Sequence, residues 1–184
     1  VLAGDEIGFT ISVITAVAED VAVAQRTNLG VLVIDDDEDI CLYLKDFLTR
    51  EGYQVTTVNR AQDGLAEVRN GGHQMVLLDV RMPELDGFEV CMRLKQDERT
   101  RDIPIIFISA LQDVQDKVRG FETGGIDFIT KPFQEEEVLA RVRTHLTLRN
   151  MQLNLEEMVA KRTAEAIERG ERFRATFEQA AVGV

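Results

Sequence analysis

VLLDVRMPELDGFE, residues 76–89, runs an apolar segment straight into a single acid, Asp79. A loop bearing Pro83 follows, and Asp86-Gly87 leads into a helix-like segment from Phe88. A short apolar run bounded by turn residues reads as a buried strand, here Met75 to Asp79. In α/β chains, reactive side chains sit just past the carboxyl ends of strands, where loops open to solvent. Asp79 is therefore the first candidate for chemistry, and the question is which other residues converge on it.

The same strand-then-helix unit repeats on both sides. Val31 to Ile34 is a β-branched, fully apolar strand that ends at Asp35-Asp36-Asp37. Asp39 to Arg50 reads as a helix with Ile40, Leu44 and Phe47-Leu48 inward, stopped by Glu51-Gly52, where Gly52 suits a left-handed cap. Further strands are expected at Gln54–Val58, Ile103–Ile108 and Ile126–Thr130, with Pro104 near the start of its strand where a missing donor is tolerated. Helices are expected at Ala61–Arg69, Phe88–Lys95 and Val114–Glu122, and another begins after Lys131-Pro132. Near-continuous apolar strands joined by helices imply an α/β fold with a parallel sheet covered on both faces. Right-handed crossovers make this a doubly wound five-stranded sheet, most simply of order 2-1-3-4-5, as in flavodoxin-like folds. That order sets the ends of strands 1 and 3 side by side, so Asp35, Asp36 and Asp79 meet at one edge.

Three carboxylates in one pocket raise one another's pKa, and a divalent cation relieves the repulsion. Hard oxygen donors with room for water suit Mg²⁺. Strand 4 delivers the hydroxyl of Ser109 and strand 5 the ammonium of Lys131. Each residue alone has a plainer reading, as a cap, a turn residue or a surface lysine. Together, at the ends of strands 1, 3, 4 and 5, they form a phosphoryl site. The Asp79 carboxylate would attack phosphorus while the metal, Ser109 and Lys131 neutralise the equatorial oxygens.

VLVIDDDEDI, VLLDVRMPELDGFE, IPIIFISA and DFITKPF resemble the response-regulator receiver domain of two-component signalling, across roughly residues 29–150. The resemblance implies that Asp79 accepts phosphate from a histidine kinase or phosphotransfer protein. It implies that Asp35 and Asp36, with the main-chain carbonyl of Arg81, help bind Mg²⁺, and that Ser109 and Lys131 contact the phosphoryl group. Phe128 matches an aromatic switch that turns inward as the Ser109 hydroxyl moves toward the phosphate. Pro83 and Gly87 match the loop after the phosphoacceptor, and Lys131–Pro132 matches a bond commonly cis. The family often has an acid at the Ile126 position and tyrosine at the Phe128 position; without a hydroxyl, any switch at Phe128 works through ring packing. His73 and His145 lie in no motif, and His145 does not resemble a kinase phosphoacceptor segment.

Net charge is −12, of which residues 29–131 hold −8. An acidic central domain argues against direct nucleic-acid binding, which needs a basic face, and fits a cation site. Cys41 and Cys91 lie in helical segments without motif spacing and read as buried thiols of a cytoplasmic, reducing compartment. Ile7 to Ala18, the longest uncharged N-terminal run, falls short of the roughly 20 apolar residues that span a bilayer, so no membrane insertion is expected.

Four segments are expected. Residues 1–28 carry an apolar stripe through Ile7, Ile11, Ile14, Ala18 and Val21, an amphipathic helix read as the tail of an upstream domain; EDVAVAQR faintly resembles the closing helix of a GAF domain. Residues 29–133 are the receiver. Residues 134–175 extend the last helix into a linker in which Leu148, Met151, Leu155 and Met158 step as a coiled-coil seam, and a stutter through Arg162 leads to a second run from Thr163 to Phe177. A parallel homodimer is expected there. Residues 176–184 close RFRATFEQAAVGV, which resembles the start of a PAS domain. The leading expectation is a phospho-accepting receiver, not an enzyme acting on other molecules, relaying its state through the helix to a PAS-linked output. A receiver-like dimerisation scaffold is the alternative. A haloacid dehalogenase-type phosphatase would need its nucleophile after strand 1, where DDDED stands instead.

Overall fold

The computed structural model describes residues 29–110 and 114–182. The amphipathic N-terminal helix expected over residues 1–28 lies outside the described residues. The chain divides into two units between Arg143 and Thr144.

The first unit holds five strands: β1 (Gly30–Ile34), β2 (Gln54–Val58), β3 (Met75–Asp79), β4 (Ile105–Ser109) and β5 (Asp127–Thr130). Helices α1 (Glu38–Arg50), α2 (Ala61–Asn70), α3 (Gly87–Gln96) and α4 (Val114–Glu122) alternate with them, and α5 (Glu135–Val182) follows β5. All pairings are parallel, and the strand order is β2-β1-β3-β4-β5, as the sequence implied. The three inner strands are buried along their full length, because helices cover both faces. Edge strand β2, with Thr56 and Thr57, is only partly covered. Phe47, Phe88, Phe107, Leu32, Ile34 and Leu78 are among the large side chains fully enclosed.

Local signals set the helix ends. Asp37 caps α1, its Oδ1 accepting from the N–H groups of Asp39 at 3.0 Å and Ile40 at 3.3 Å. At the other end Gly52 takes φ +93°; its N–H donates to Thr49 C=O and that of Tyr53 to Leu48 C=O, a Schellman closure. Strand β4 departs from expectation. It begins at Ile105, because Pro104 has no N–H and the N–H of Ile103 is taken by a turn bond to Thr100 C=O at 3.0 Å. It also extends to Ser109, which is thus the last strand residue.

Both cysteines are buried and free, as read from their helical placement. Cys41 Sγ donates to Asp35 C=O at 3.3 Å, and burial, then the Asp35 charge, pushes its thiol up to about 11. In the second unit, α5 continues through Gly170 to Val182, and residues 151–170 are all exposed. Among the described residues, no helix is long and apolar enough to cross a membrane.

Candidate phosphoryl and metal site

Sheet register assembles the site. Ile34 pairs with Leu78 and Asp79 with Ile108, while Ser109 pairs with Thr130. Asp35, just past the first pair, therefore comes level with Asp79, and Lys131, two residues beyond the β5 position level with Asp79, reaches back to it at the carboxyl edge. Asp35, Asp36 and Asp79 each place one carboxylate oxygen within 4.8 Å of the others. Asp35 and Asp79 are buried, and Asp36 is exposed. An open cavity of about 410 Å³ is lined by Asp35, Asp36, Asp37, Asp79, Arg81, Ala110 and Lys131.

Lys131 enters from beyond β5. Its Nζ donates to Asp79 Oδ1 at 2.6 Å and to Asp35 Oδ2 at 2.7 Å. The Lys131–Pro132 bond that follows is cis. Asp35 Oδ1 accepts the N–H of Asp37 at 3.0 Å, which holds the turn into α1. Burial and the nearby Asp35 charge raise the Asp79 pKa above the ordinary carboxyl range, although the Lys131 ammonium and the Arg81 N–H pull it down. Burial works against the Lys131 ammonium, but its bonds to Asp35 and Asp79 outweigh this and raise its pKa.

The loop after Asp79 is held by its own backbone. Gly87 N–H donates to Val80 C=O at 2.9 Å. A Cβ on Gly87 would stand 2.2 Å from the Asp79 carbonyl oxygen, so only glycine fits there. Asp86 caps α3 through Glu89 N–H at 2.8 Å.

Asp35, Asp36, Asp79, Arg81 and Lys131 thus share one cavity, as expected from sequence. Ser109 does not line it: its side chain is buried, its C=O accepts the Lys131 N–H at 2.9 Å, and Ala110 takes the wall. Phe128 also lies away from the cavity, buried among aromatic rings. Sequence reading missed Asp37 as a wall residue; its place between Asp36 and a helix start was the available signal. The three oxygen donors, two of them buried and one with a raised pKa, fit a hard divalent cation.

The response regulator receiver domain family matches residues 31–143. The chain belongs to this family. Among relatives, the receiver is 43% identical over 116 residues to the DNA-binding dual master transcriptional regulator RpaA of Synechocystis, covering 63% of this chain and 48% of that protein. The chain spans about half the length of the curated relatives it matches. Among solved structures, the Francisella response regulator 1452 receiver domain is similar, with 29% identity, TM-score 0.61, and coverage of 65% of this chain and 98% of that one. The signal receiver domain of a signal transduction histidine kinase from Syntrophus aciditrophicus is 32% identical with TM-score 0.60, covering 64% and 89% respectively. Family membership makes the chain a signalling protein of a two-component system.

Proposed function

We propose that Asp79 is the phosphoacceptor of a two-component phosphorelay. The observation that carries this reading is the Asp79 carboxylate, buried at the end of a central strand and hydrogen-bonded to Lys131 at 2.6 Å beside two further acids. An Asp79 oxygen attacks the phosphorus of a phosphohistidine on a histidine kinase or phosphotransfer protein. The P–N bond breaks, and the imidazole nitrogen leaves with the electron pair and takes up a proton. Asp35, Asp36, Asp79 and the Arg81 main-chain carbonyl would hold Mg²⁺, which supplies positive charge against the phosphoryl oxygens. Lys131 moves from its two carboxylates to the incoming phosphoryl group. The Ser109 hydroxyl turns to the same group, and Phe128 registers that movement by ring packing.

The output runs through α5. Leu148, Met151, Leu155 and Met158 are each more than half exposed and follow a coiled-coil spacing. Their pairing in a parallel homodimer would pass the receiver's state to a PAS-linked module beyond residue 175. Incubation with Mg²⁺ and acetyl phosphate tests the acceptor directly. One phosphate should appear by intact mass and disappear in Asp79→Asn. Absence of labelling while Mg²⁺ is bound would overturn the reading.

A further inference from the structure

Four rings form a continuous run of edge-on and tilted contacts. Phe88 and Phe107 have centroids 5.2 Å apart, Phe107 and Phe128 5.0 Å, and Phe128 and Phe121 5.5 Å. Phe107 and Phe128 are partners in the β4–β5 register, as are Ser109 and Thr130. Side chains two apart on a strand share a face, and in-register neighbours share it too. Ser109 and Phe128 are therefore diagonal neighbours on one face of the sheet, the face that α4 covers.

Glycines line the α4 side of that run. A Cβ on Gly120 would stand 2.2 Å from Phe128 Cζ and 2.6 Å from Cε2, and one on Gly125 would stand 2.3 Å from Phe107 Cε2. The two are tied together, since Gly125 N–H donates to Gly120 C=O at 3.0 Å, and Thr123 Oγ1 donates to the same carbonyl at 2.8 Å. Gly120 sits within α4 without a left-handed φ. Helix propensity there favours alanine, so the absent side chain is explained by space and not by backbone freedom. A Cβ on Gly120 would also stand 3.1 Å from Phe107 Cε2, and both Phe107 and Phe121 lie against the Phe128 ring. A methyl at Gly120 would therefore meet the Phe128 ring first and push it from this seat.

We propose that Gly120 is a positioning residue for the phosphorelay reaction: it forms the seat that receives the Phe128 ring in its inward state. It thereby sets how strongly the phosphorylated form of Asp79 is held. This rests on the phosphoacceptor reading above. Linkage supplies the coupling, because a change that penalises the inward ring penalises every state that requires it.

The test uses the full chain with a fluorinated Phe128 and three variants, Gly120→Ala, Phe128→Ala and the double variant. In the ligand-free wild type the ¹⁹F signal should be shielded from a soluble paramagnetic probe; in Gly120→Ala it should be exposed. With Mg²⁺ present, Gly120→Ala should bind beryllofluoride, a phosphoryl mimic, about tenfold more weakly, while affinity for Mg²⁺ alone is unchanged. The double variant should match Phe128→Ala, because no ring remains for the new methyl to displace. A shielded ring in Gly120→Ala overturns the seat. Equal beryllofluoride binding by Gly120→Ala and wild type overturns the coupling alone. A wild type that binds no beryllofluoride overturns the phosphoacceptor reading and the coupling with it, whereas the ring signal still decides the seat. Should Gly120→Ala melt too early for titration, rescue of its melting temperature by Phe128→Ala in the double variant carries the same claim, and failure of that rescue overturns it.

Discussion

Lys131 Nζ lies 2.6 Å from Asp79 Oδ1 and 2.7 Å from Asp35 Oδ2, so one ammonium bridges two buried carboxylates. The bridge holds apart groups that would otherwise repel in a low-dielectric pocket. In the proposed phosphoryl transfer it would also supply a cation to the incoming group. Replacing it should therefore expose the cost of the acid cluster. Lys131→Ala is expected to lose about 1–3 kcal/mol of stability without Mg²⁺, limited because Asp79 can take up a proton. Added Mg²⁺ should restore part of that loss by binding only the folded state. Urea unfolding with and without Mg²⁺ reads both effects, and a loss indifferent to Mg²⁺ would count against a cation site.

Asp79 itself is predicted to be a stability liability. Its folded-state pKa is raised by burial and by the Asp35 charge. Between the ordinary carboxyl pKa and the raised value, the folded chain binds more protons than the unfolded one. Stability from this group is thus full below the ordinary carboxyl range and declines as pH rises through the raised value. Asp79→Asn, which cannot ionise, should raise the melting temperature by a few degrees at neutral pH. The gain should shrink as pH falls below the carboxyl range, and Mg²⁺ should shrink it at neutral pH. Melting curves across pH check the sign; a gain that grows toward acid would reject this account.

Asp35 and Asp36 are neighbours with different expected phenotypes. Asp35 is buried and holds both Lys131 and the Asp37 N–H, whereas Asp36 is exposed. Asp36→Ala should weaken Mg²⁺ binding about tenfold with stability kept within ~0.5 kcal/mol. Asp35→Ala should weaken binding and also destabilise the fold by about 2 kcal/mol or more, because the turn into α1 and the lysine both lose a partner. Calorimetric titration beside denaturant melts separates the two.

Met151 and Leu155 are each 62% exposed on α5. Charging that stripe should not disturb the receiver's core. Met151→Lys with Leu155→Lys is expected to convert a dimer to a monomer in sedimentation while acetyl phosphate labelling at Asp79 is retained. A wild-type chain that sediments as a monomer at high concentration would remove the dimeric linker from the proposal.

Much of this protein was legible along the chain, and the reason is periodicity. Fully apolar runs such as Val31–Ile34 declare strands buried on both faces, Glu51-Gly52 declares a helix stop, and Asp79 stands out because one acid ends such a run. Those features are local, so residues within a turn or two determine them. The start of β4 was misplaced by two residues, because the competing Ile103–Thr100 turn bond is invisible to an apolar pattern. Their positions at the ends of strands 4 and 5 then put Ser109 and Lys131 together in one site, but did not reveal that they stand differently. Lys131 is clamped on carboxylates 52 and 96 positions away in sequence, while Ser109 is buried and does not line the cavity. Nor could the sequence announce the use of Gly120, since a glycine inside a helical pattern looks like a defect until Phe128 is seen against it. Sequence alone determined the elements, their order and the acidic residue at the centre of VLLDVRMPELDGFE. Tertiary structure alone decided which charges touch, which hydroxyl stays hidden and which side chain must be absent, because those follow from register and packing between strands far apart in the chain.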